Sequence, residues 1–199
     1  MRILCLYNNN CALPLFDWLR QNGHEVILCS ERFTEDWCRG QEIDLTVSYT
    51  YRYILEEQII LALKKNIVNL HNSFLPWNRG KDPNLWSIVN NTPRGVTLHY
   101  VSPGLDKGDI IVQRLVPLSS EDTLETSYYT LDRIAQEQFR EAFHWYEYWP
   151  QMRKTPLGKG SYHSEKDGAV LHQLIDTYDM PVEEFLQRVK KLDIKSLDL

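Results

Sequence analysis

Two polar side chains, Asn69 and His71, lie two residues apart at the end of a short apolar run, residues 66–70, that predicts a strand. Residues two apart in a strand point to the same face, so the amide and the imidazole leave it together. An amide donates hydrogen bonds without titrating, whereas an imidazole can bind or release a proton near neutral pH. A lone histidine is more often a structural residue, but this pair suits transfer of an acyl-type group.

A carboxylate follows later, in the glycine-flanked turn of residues 104–109. Both Asp106 and Asp109 have an ordinary explanation, since aspartate beside glycine stabilises turns. We prefer that explanation for Asp109 when it is considered from the turn alone. We expect Asp106 to meet Asn69 and His71 in one pocket, although its turn alone does not favour it over Asp109. Ligands in open α/β sheets bind beyond the carboxyl ends of the strands, where the loop after His71 starts.

The elements around these residues alternate in type. Apolar runs predict strands, periodic patterns predict helices, and their alternation predicts a parallel sheet. The loop between Asn69 and Pro83 ends this pattern, and Asp122 with Glu125 resembles a capping box for a long helix. The predicted strands are 3–7, 24–29, 44–49, 66–70, 95–101 and 110–118, and the predicted helices are 13–22, 54–65, 83–90, 122–149 and two short ones near the end, the second from Pro181.

Composition and charge narrow the class of protein. The net charge of −5 argues against broad nucleic-acid binding. The four cysteines lack zinc-ligand spacing, so we expect neither a metal site nor a disulfide. The first turn, residues 8–12, has no glycine for a dinucleotide pyrophosphate. Without a signal peptide or a membrane-spanning run, the simplest expectation is a cytoplasmic protein with no membrane partner.

Three ordered motifs resemble the formyltetrahydrofolate-dependent formyltransferases. They are Asn69-Leu70-His71 with the Leu75-Pro76 and Arg79-Gly80 that follow, then residues 95–99 (GVTLH), then residues 105–110 (LDKGDI). The resemblance implies a Rossmann-like, mostly parallel twisted α/β sheet with helices on both faces and a small helical C-terminal extension. It divides the chain into a catalytic domain, residues 1–150, and an extension, residues 151–199. It also implies that Asn69, His71 and Asp106 are the catalytic set.

The same resemblance suggests where 10-formyltetrahydrofolate, the co-substrate, would bind. Residues 49–55 match the loop whose backbone groups hold the pterin, although an ordinary helix-entry loop with packed aromatic residues is the alternative. The implied cofactor-binding residues are Tyr51, Tyr53, Ile54, Leu55 and Asp109.

The acceptor amine is narrowed by the loop of residues 79–86 (RGKDPNLW), which is similar to formyltransferases of methionyl-tRNA and of nucleotide-linked sugars. The 50 residues after Trp149 are too few for the barrel of the tRNA enzymes, which favours a nucleotide-linked amino-dideoxy sugar. The expected substrate-binding residues are Asn9, Trp77, Arg79 and Lys81. Alternatives are another small amine, either glycinamide ribonucleotide or a methionyl-tRNA-like acceptor, or a folate- or nucleotide-binding module without turnover. The C-terminal helices could cap the domain or pair two copies in a homodimer.

Overall fold

The computed structural model describes residues 1–64 and 66–192, which form an α/β fold. The helices are α1 (Leu13–Gln21), α2 (Glu35–Arg39), α3 (Glu57–Ala62), α4 (Pro83–Val89), α5 (Leu124–Phe143), α6 (Trp149–Met152), α7 (Glu165–His172) and α8 (Val182–Lys191). The strands are β1 (Arg2–Leu6), β2 (Glu25–Cys29), β3 (Leu45–Tyr49), β4 (Ile67–His71), β5 (Arg79–Gly80), β6 (Gly95–Tyr100), β7 (Ile110–Leu115) and β8 (Tyr162–His163).

The main sheet has six strands in the order β2-β1-β3-β4-β6-β7. The first four strands along the chain pair in parallel, whereas β6 runs antiparallel to β4, and β7 antiparallel to β6. The predicted mostly parallel sheet is therefore confirmed. The parallel strands place the carboxyl ends of β1, β3 and β4 at one edge, where the sequence placed its polar residues.

Helices cover both faces of this sheet, as predicted. Alternate residues of β1 pack on opposite faces of the sheet, and these contacts together form the main core. Ile3 and Cys5 pack with α1 and α5, and Leu4 and Leu6 pack with α2 and α3. Buried strands are apolar on both faces for this reason. Helix α2, which the sequence analysis missed, has only five residues, too few for a periodic pattern.

The long helix α5 departs from its prediction at both ends. Its N-cap is Thr123 with Thr126 in a reciprocal capping box, not Asp122 with Glu125. Either residue type can cap a helix, and the extended backbone at Thr123 decides between them. The helix ends at Phe143 because the chain folds back, so that the buried Trp149 indole donates to the Ala142 carbonyl at 2.9 Å.

The C-terminal extension packs on the rest of the chain through a second core. Trp86 of α4 meets Leu171 of α7 and Phe185 of α8 there. The proposed boundary at residue 150 falls inside α6, whose Trp149 belongs to the main core. Residues 193–199, the end of the predicted extension, and residue 65, the end of a predicted helix, lie outside the described residues. Within residues 1–64 and 66–192, no helix has the length and apolar character to cross a membrane.

Candidate active site

The candidate site lies on strand β4, which has one apolar face and one face that presents polar side chains. Val68 and Leu70 pack into the core under α5, which turns Asn69 and His71 to the other face. The neighbouring strand β6 sets His99 opposite Asn69, and Thr97 opposite His71. The structure thus forms a polar surface on the α3 side of two adjacent strands.

Asp106 reaches this surface from its turn. Its Oδ2 lies 3.6 Å from Nε2 of His71 and accepts a hydrogen bond from the Gly80 backbone at 2.9 Å. Its Oδ1 lies 3.6 Å from Nε2 of His99. The backbone of Asp106 is left-handed (φ +50°), a conformation that aspartate adopts more readily than most residues. The structure therefore brings together Asn69, His71 and Asp106, which lie far apart in the sequence.

The ionisation of the two central groups follows from burial and charge. Burial lowers the pKa of His71, against the raising effect of Asp106, so the imidazole is neutral at physiological pH. Burial alone would raise the pKa of Asp106, but the neighbouring imidazole of His71 and the Gly80 N–H hold it well below its usual value. The site thus pairs an ionised carboxylate with a neutral imidazole.

His71 Nε2 lies between two acceptors, Asp106 and the Asn78 carbonyl oxygen at 3.2 Å. We therefore assign the proton of the neutral ring to Nε2, and Nδ1 is left to accept a proton. An adjacent carboxylate then stabilises the imidazolium that forms. The His71–Asp106 pair can act as a general base.

His99 is a site residue that the sequence analysis did not assign. Its Nδ1 lies 2.9 Å from the Tyr100 carbonyl oxygen, to which it donates, so Nε2 accepts from the Asn69 amide at 3.2 Å. This contact fixes the amide with Nδ2 towards His99 and leaves its second hydrogen for a ligand. The alternation along β6, which buries Val96 and Leu98 on the core face, places His99 on the opposite face and was the sequence signal that could have identified it.

The loop expected to hold folate follows the carboxyl end of β3. Tyr51 donates to the Glu31 carbonyl oxygen at 2.7 Å, and its ring meets that of Tyr53 edge-on at 5.3 Å. Leu55 packs into the core beside α3, whereas the Ile54 side chain is 67 % exposed. Tyr51 and Leu55 therefore hold the loop against the protein, and the exposed Ile54 side chain is free to contact a ligand.

Two other predicted residues have structural partners. Asp109 accepts from the Thr155 hydroxyl at 3.2 Å, which ties its turn to the C-terminal extension. Asn9 caps the short 3-10 turn of Asn10–Ala12 by accepting from the Cys11 backbone at 3.0 Å. Asn9 therefore has a helix-capping role, and Asp109 links its turn to the C-terminal extension.

The expected acceptor-binding residues lie on the loop before α4. Gly80 pairs with His163 in the small β5–β8 sheet, and Arg79 donates through Nε to the Ser161 carbonyl oxygen at 3.3 Å. Trp77 is 36 % exposed, and Lys81 is exposed beside the same sheet. The loop is thus fixed by the C-terminal extension, and cationic and aromatic side chains remain at its surface.

A mostly parallel α/β sheet with an amide, an imidazole and a carboxylate meeting near its carboxyl edge defines an enzyme of the acyl-transfer type. The chain belongs to the formyl transferase family, whose model matches residues 15–143. Both the predicted family and the predicted fold are confirmed.

Solved structures agree with this assignment. The chain is 36 % identical to the formyltransferase PseJ from Anoxybacillus kamchatkensis, with a TM-score of 0.82 over 94 % of this chain and 99 % of that one. That protein was solved with tetrahydrofolate and UDP-4,6-dideoxy-4-formamido-L-AltNAc.

Two more distant structures share the fold. An N-formyltransferase from Helicobacter canadensis is 19 % identical, with a TM-score of 0.69 over 94 % of this chain and 80 % of that one. Methionyl-tRNA formyltransferase from Clostridium thermocellum is 14 % identical, with a TM-score of 0.71 over 95 % of this chain and 82 % of that one.

Proposed function

We propose that this enzyme moves the formyl group of 10-formyltetrahydrofolate to the amine of a nucleotide-linked amino-dideoxy sugar. The observation that carries the proposal is that Asn69, His71 and Asp106 converge inside the formyl transferase fold. His71 lies 3.6 Å from Asp106, and it shares one face of β4 with Asn69. The similarity to a protein solved with tetrahydrofolate and a formylated nucleotide sugar supports this choice of substrates.

The reaction begins when the neutral sugar amine attacks the formyl carbon, forming a C–N bond and a tetrahedral intermediate with a negative oxygen. Asn69 Nδ2 donates a hydrogen bond to that oxygen, and the loss of one such donor typically costs about 10²–10³ in rate. His71 takes the proton that the amine loses, while Asp106 stabilises the imidazolium. Breaking the bond between carbon and folate N10 returns that proton to N10 and releases tetrahydrofolate.

Folate is proposed to lie against the loop that contains Tyr51, Tyr53, Ile54 and Leu55. This loop leaves β3 beside the carboxyl end of β4, so a ligand on it would face Asn69 and His71. The exposed Ile54 side chain would be buried by the ligand, a favourable contribution of about 25 cal/mol per Å² of apolar surface. Asp109 would contribute by holding the turn that carries Asp106.

The nucleotide diphosphate is proposed to bind near Arg79 and Lys81. Arg79 is held through Nε, which leaves its terminal nitrogens for a phosphate. Trp77 offers an exposed indole for the sugar or base. Asn9 is proposed to contact the acceptor through groups that its capping role leaves unused.

The experiment supplies the purified chain with 10-formyltetrahydrofolate and a panel of amines. The panel holds UDP- and dTDP-linked amino-dideoxy sugars, glycinamide ribonucleotide and methionyl-tRNA. We expect tetrahydrofolate release and the mass increase of one formyl group only on a nucleotide sugar. Turnover of another panel amine alone would replace the proposed acceptor, and binding without turnover on every amine would identify a non-catalytic module.

A further inference from the structure

A buried carboxylate with no role in the chemistry above lies on helix α5. Asp132 is 8 % exposed, and no lysine, arginine or histidine forms an ion pair with it among residues 1–64 and 66–192. Buried charges in proteins are normally paired, because removing a carboxylate from water is costly. A buried carboxylate without a cation is therefore a candidate for contact with a ligand.

The partners of Asp132 come from the carboxyl ends of the central strands. The Tyr49 hydroxyl, at the end of β3, donates to its Oδ1 and lies 3.4 Å from Oδ1 of Asn72, the residue that directly follows His71. Gln136 donates to its Oδ2 at 3.0 Å and to the Cys11 carbonyl oxygen at 2.9 Å. The network thus connects the turn after β1 with the ends of β3 and β4, at the edge that carries the candidate active site.

The network lies on the opposite face of the sheet from His71. Tyr49 pairs in register with Leu70, and both belong to the core under α1 and α5. The loop proposed for folate and the turn of Asp106 are on the α3 side. Because the formyl group passes between two substrates, an acceptor must approach Asn69 and His71 from a side that folate leaves open. The Asp132 side of the strand ends meets this requirement.

Solvent reaches the neighbourhood of Asp132. Cys11 and Tyr128, whose side chains contact each other at 3.9 Å, are only partly buried beside it. Asp132 also lies beside an open depression on the surface of α5, whose lining residues all belong to that helix. A polar ligand would reach the network from the side of the partly exposed Cys11 and Tyr128.

We propose that Asp132, with Tyr49 and Asn72, binds hydroxyl or N–H groups of the acceptor's sugar ring beside the reacting amine. A carboxylate only accepts hydrogen bonds, so the groups that it selects on the ligand are donors. The inference rests on the proposed function and adds residues that would determine which sugar is accepted.

The test measures steady-state kinetics of Asp132→Asn against a nucleotide-linked amino sugar that the wild-type enzyme formylates. Asparagine keeps the shape and removes the charge. We expect the acceptor KM to rise roughly tenfold or more, because a hydrogen bond to a charged group is lost. The KM for 10-formyltetrahydrofolate and the melting temperature should stay close to wild type. Glu137→Gln, on the same helix and 40 % exposed beside Arg133, is the matched control with unchanged kinetics.

A second variant covers the case in which Asp132→Asn does not fold. Tyr49→Phe keeps the buried ring and removes the hydroxyl, and we expect the same selective rise in acceptor KM. An unchanged acceptor KM, or an equal rise for both substrates, in a folded variant would overturn the inference while the proposed function stands. Absence of turnover by the wild-type enzyme on every nucleotide amino sugar would overturn the proposed function and this inference with it.

Discussion

At the scale of single residues, the site depends on a neutral imidazole held between an ionised carboxylate and a backbone carbonyl. The His71 ring is buried beside Asp106, and the Asn69 amide is oriented by His99. Each contact gives one side chain a fixed protonation or rotamer before substrate arrives. Such preorganised groups stabilise developing charge without reorganising during the reaction.

The pH dependence of turnover follows from His71. Burial lowers the pKa of its imidazole below the usual 6.5, so the neutral, proton-accepting form persists to mildly acidic pH. We expect kcat/KM to be level around neutrality and to fall only as the pH drops below 6.5, because protonation removes the base. A pH–rate profile corrected for titration of the free acceptor amine measures this, and an acid limb of the enzyme centred above 6.5 would contradict the assignment of His71.

The orienting role of His99 can be separated from a structural one by a double-mutant cycle. We expect His99→Gln to lower kcat by roughly tenfold or more, since a misplaced amide loses much of its effect on the oxyanion. The same change in an Asn69→Ala background should cost much less, because no amide remains to be oriented. Equal losses in both backgrounds, at equal melting temperature, would show that His99 acts independently of Asn69.

At the scale of elements, the C-terminal extension holds the loop of the site in place. Strand β8 pairs with β5, and a Cβ atom at Gly80 would lie 2.4 Å from the His163 carbonyl oxygen. The His163 ring stacks on Trp86 with centroids 4.0 Å apart, inside the interface between the extension and α4. This interface joins Asp106, through the Gly80 N–H, to the extension.

The stability of this interface should depend on pH. Burial lowers the pKa of His163 below its unfolded value of 6.5. The folded state therefore binds fewer protons than the unfolded state just below 6.5, and stability is retained above that pH and lost as the pH falls. We expect His163→Phe, which keeps the stack, to unfold with a weaker pH dependence between 7 and 5 than wild type. Urea unfolding at several pH values measures this. The same change of unfolding free energy with pH in both proteins would contradict it.

The sequence predicts an element well when the residues that determine it are neighbours in the chain, and poorly when they lie far apart. The strand that carries Asn69 and His71 follows from its own apolar pattern, and the alternation of strands with helices predicts the parallel pairing of β1 to β4. The β5–β8 pairing joins residues 83 positions apart in two-residue strands, which no local pattern signals. His99 was missed because a histidine in a buried strand has an ordinary structural explanation, and its partners lie on other elements.

At the scale of the whole molecule, two hydrophobic cores stabilise the fold. The main core surrounds the sheet, and the second core fixes the extension on α4 through Phe185, which is completely buried. The predicted domain boundary at residue 150 separates these parts in sequence. In space they share helix α6 and the β5–β8 sheet. The extension therefore holds the loop that carries Gly80, the residue whose N–H binds Asp106.

Loss of the second core should destabilise the molecule and its activity together. We expect Phe185→Ala to cost about 3–5 kcal/mol in unfolding free energy, because it leaves a cavity in a closed core. Leu157→Ala, at a side chain that is 88 % exposed, should change stability by less than about 0.5 kcal/mol. Chemical denaturation measures both, and equal stabilities of the two variants would contradict a core under the extension.

The most direct test of formyl transfer by Asn69 and His71 is the kcat of Asn69→Ala and His71→Ala with 10-formyltetrahydrofolate and a nucleotide-linked amino sugar. We expect each variant to keep the wild-type circular dichroism spectrum and to lose roughly 10²–10³ in kcat. Asn90→Ala, outside the site, should retain wild-type turnover. Near-normal turnover in both site variants would contradict the assignment of formyl transfer to these residues.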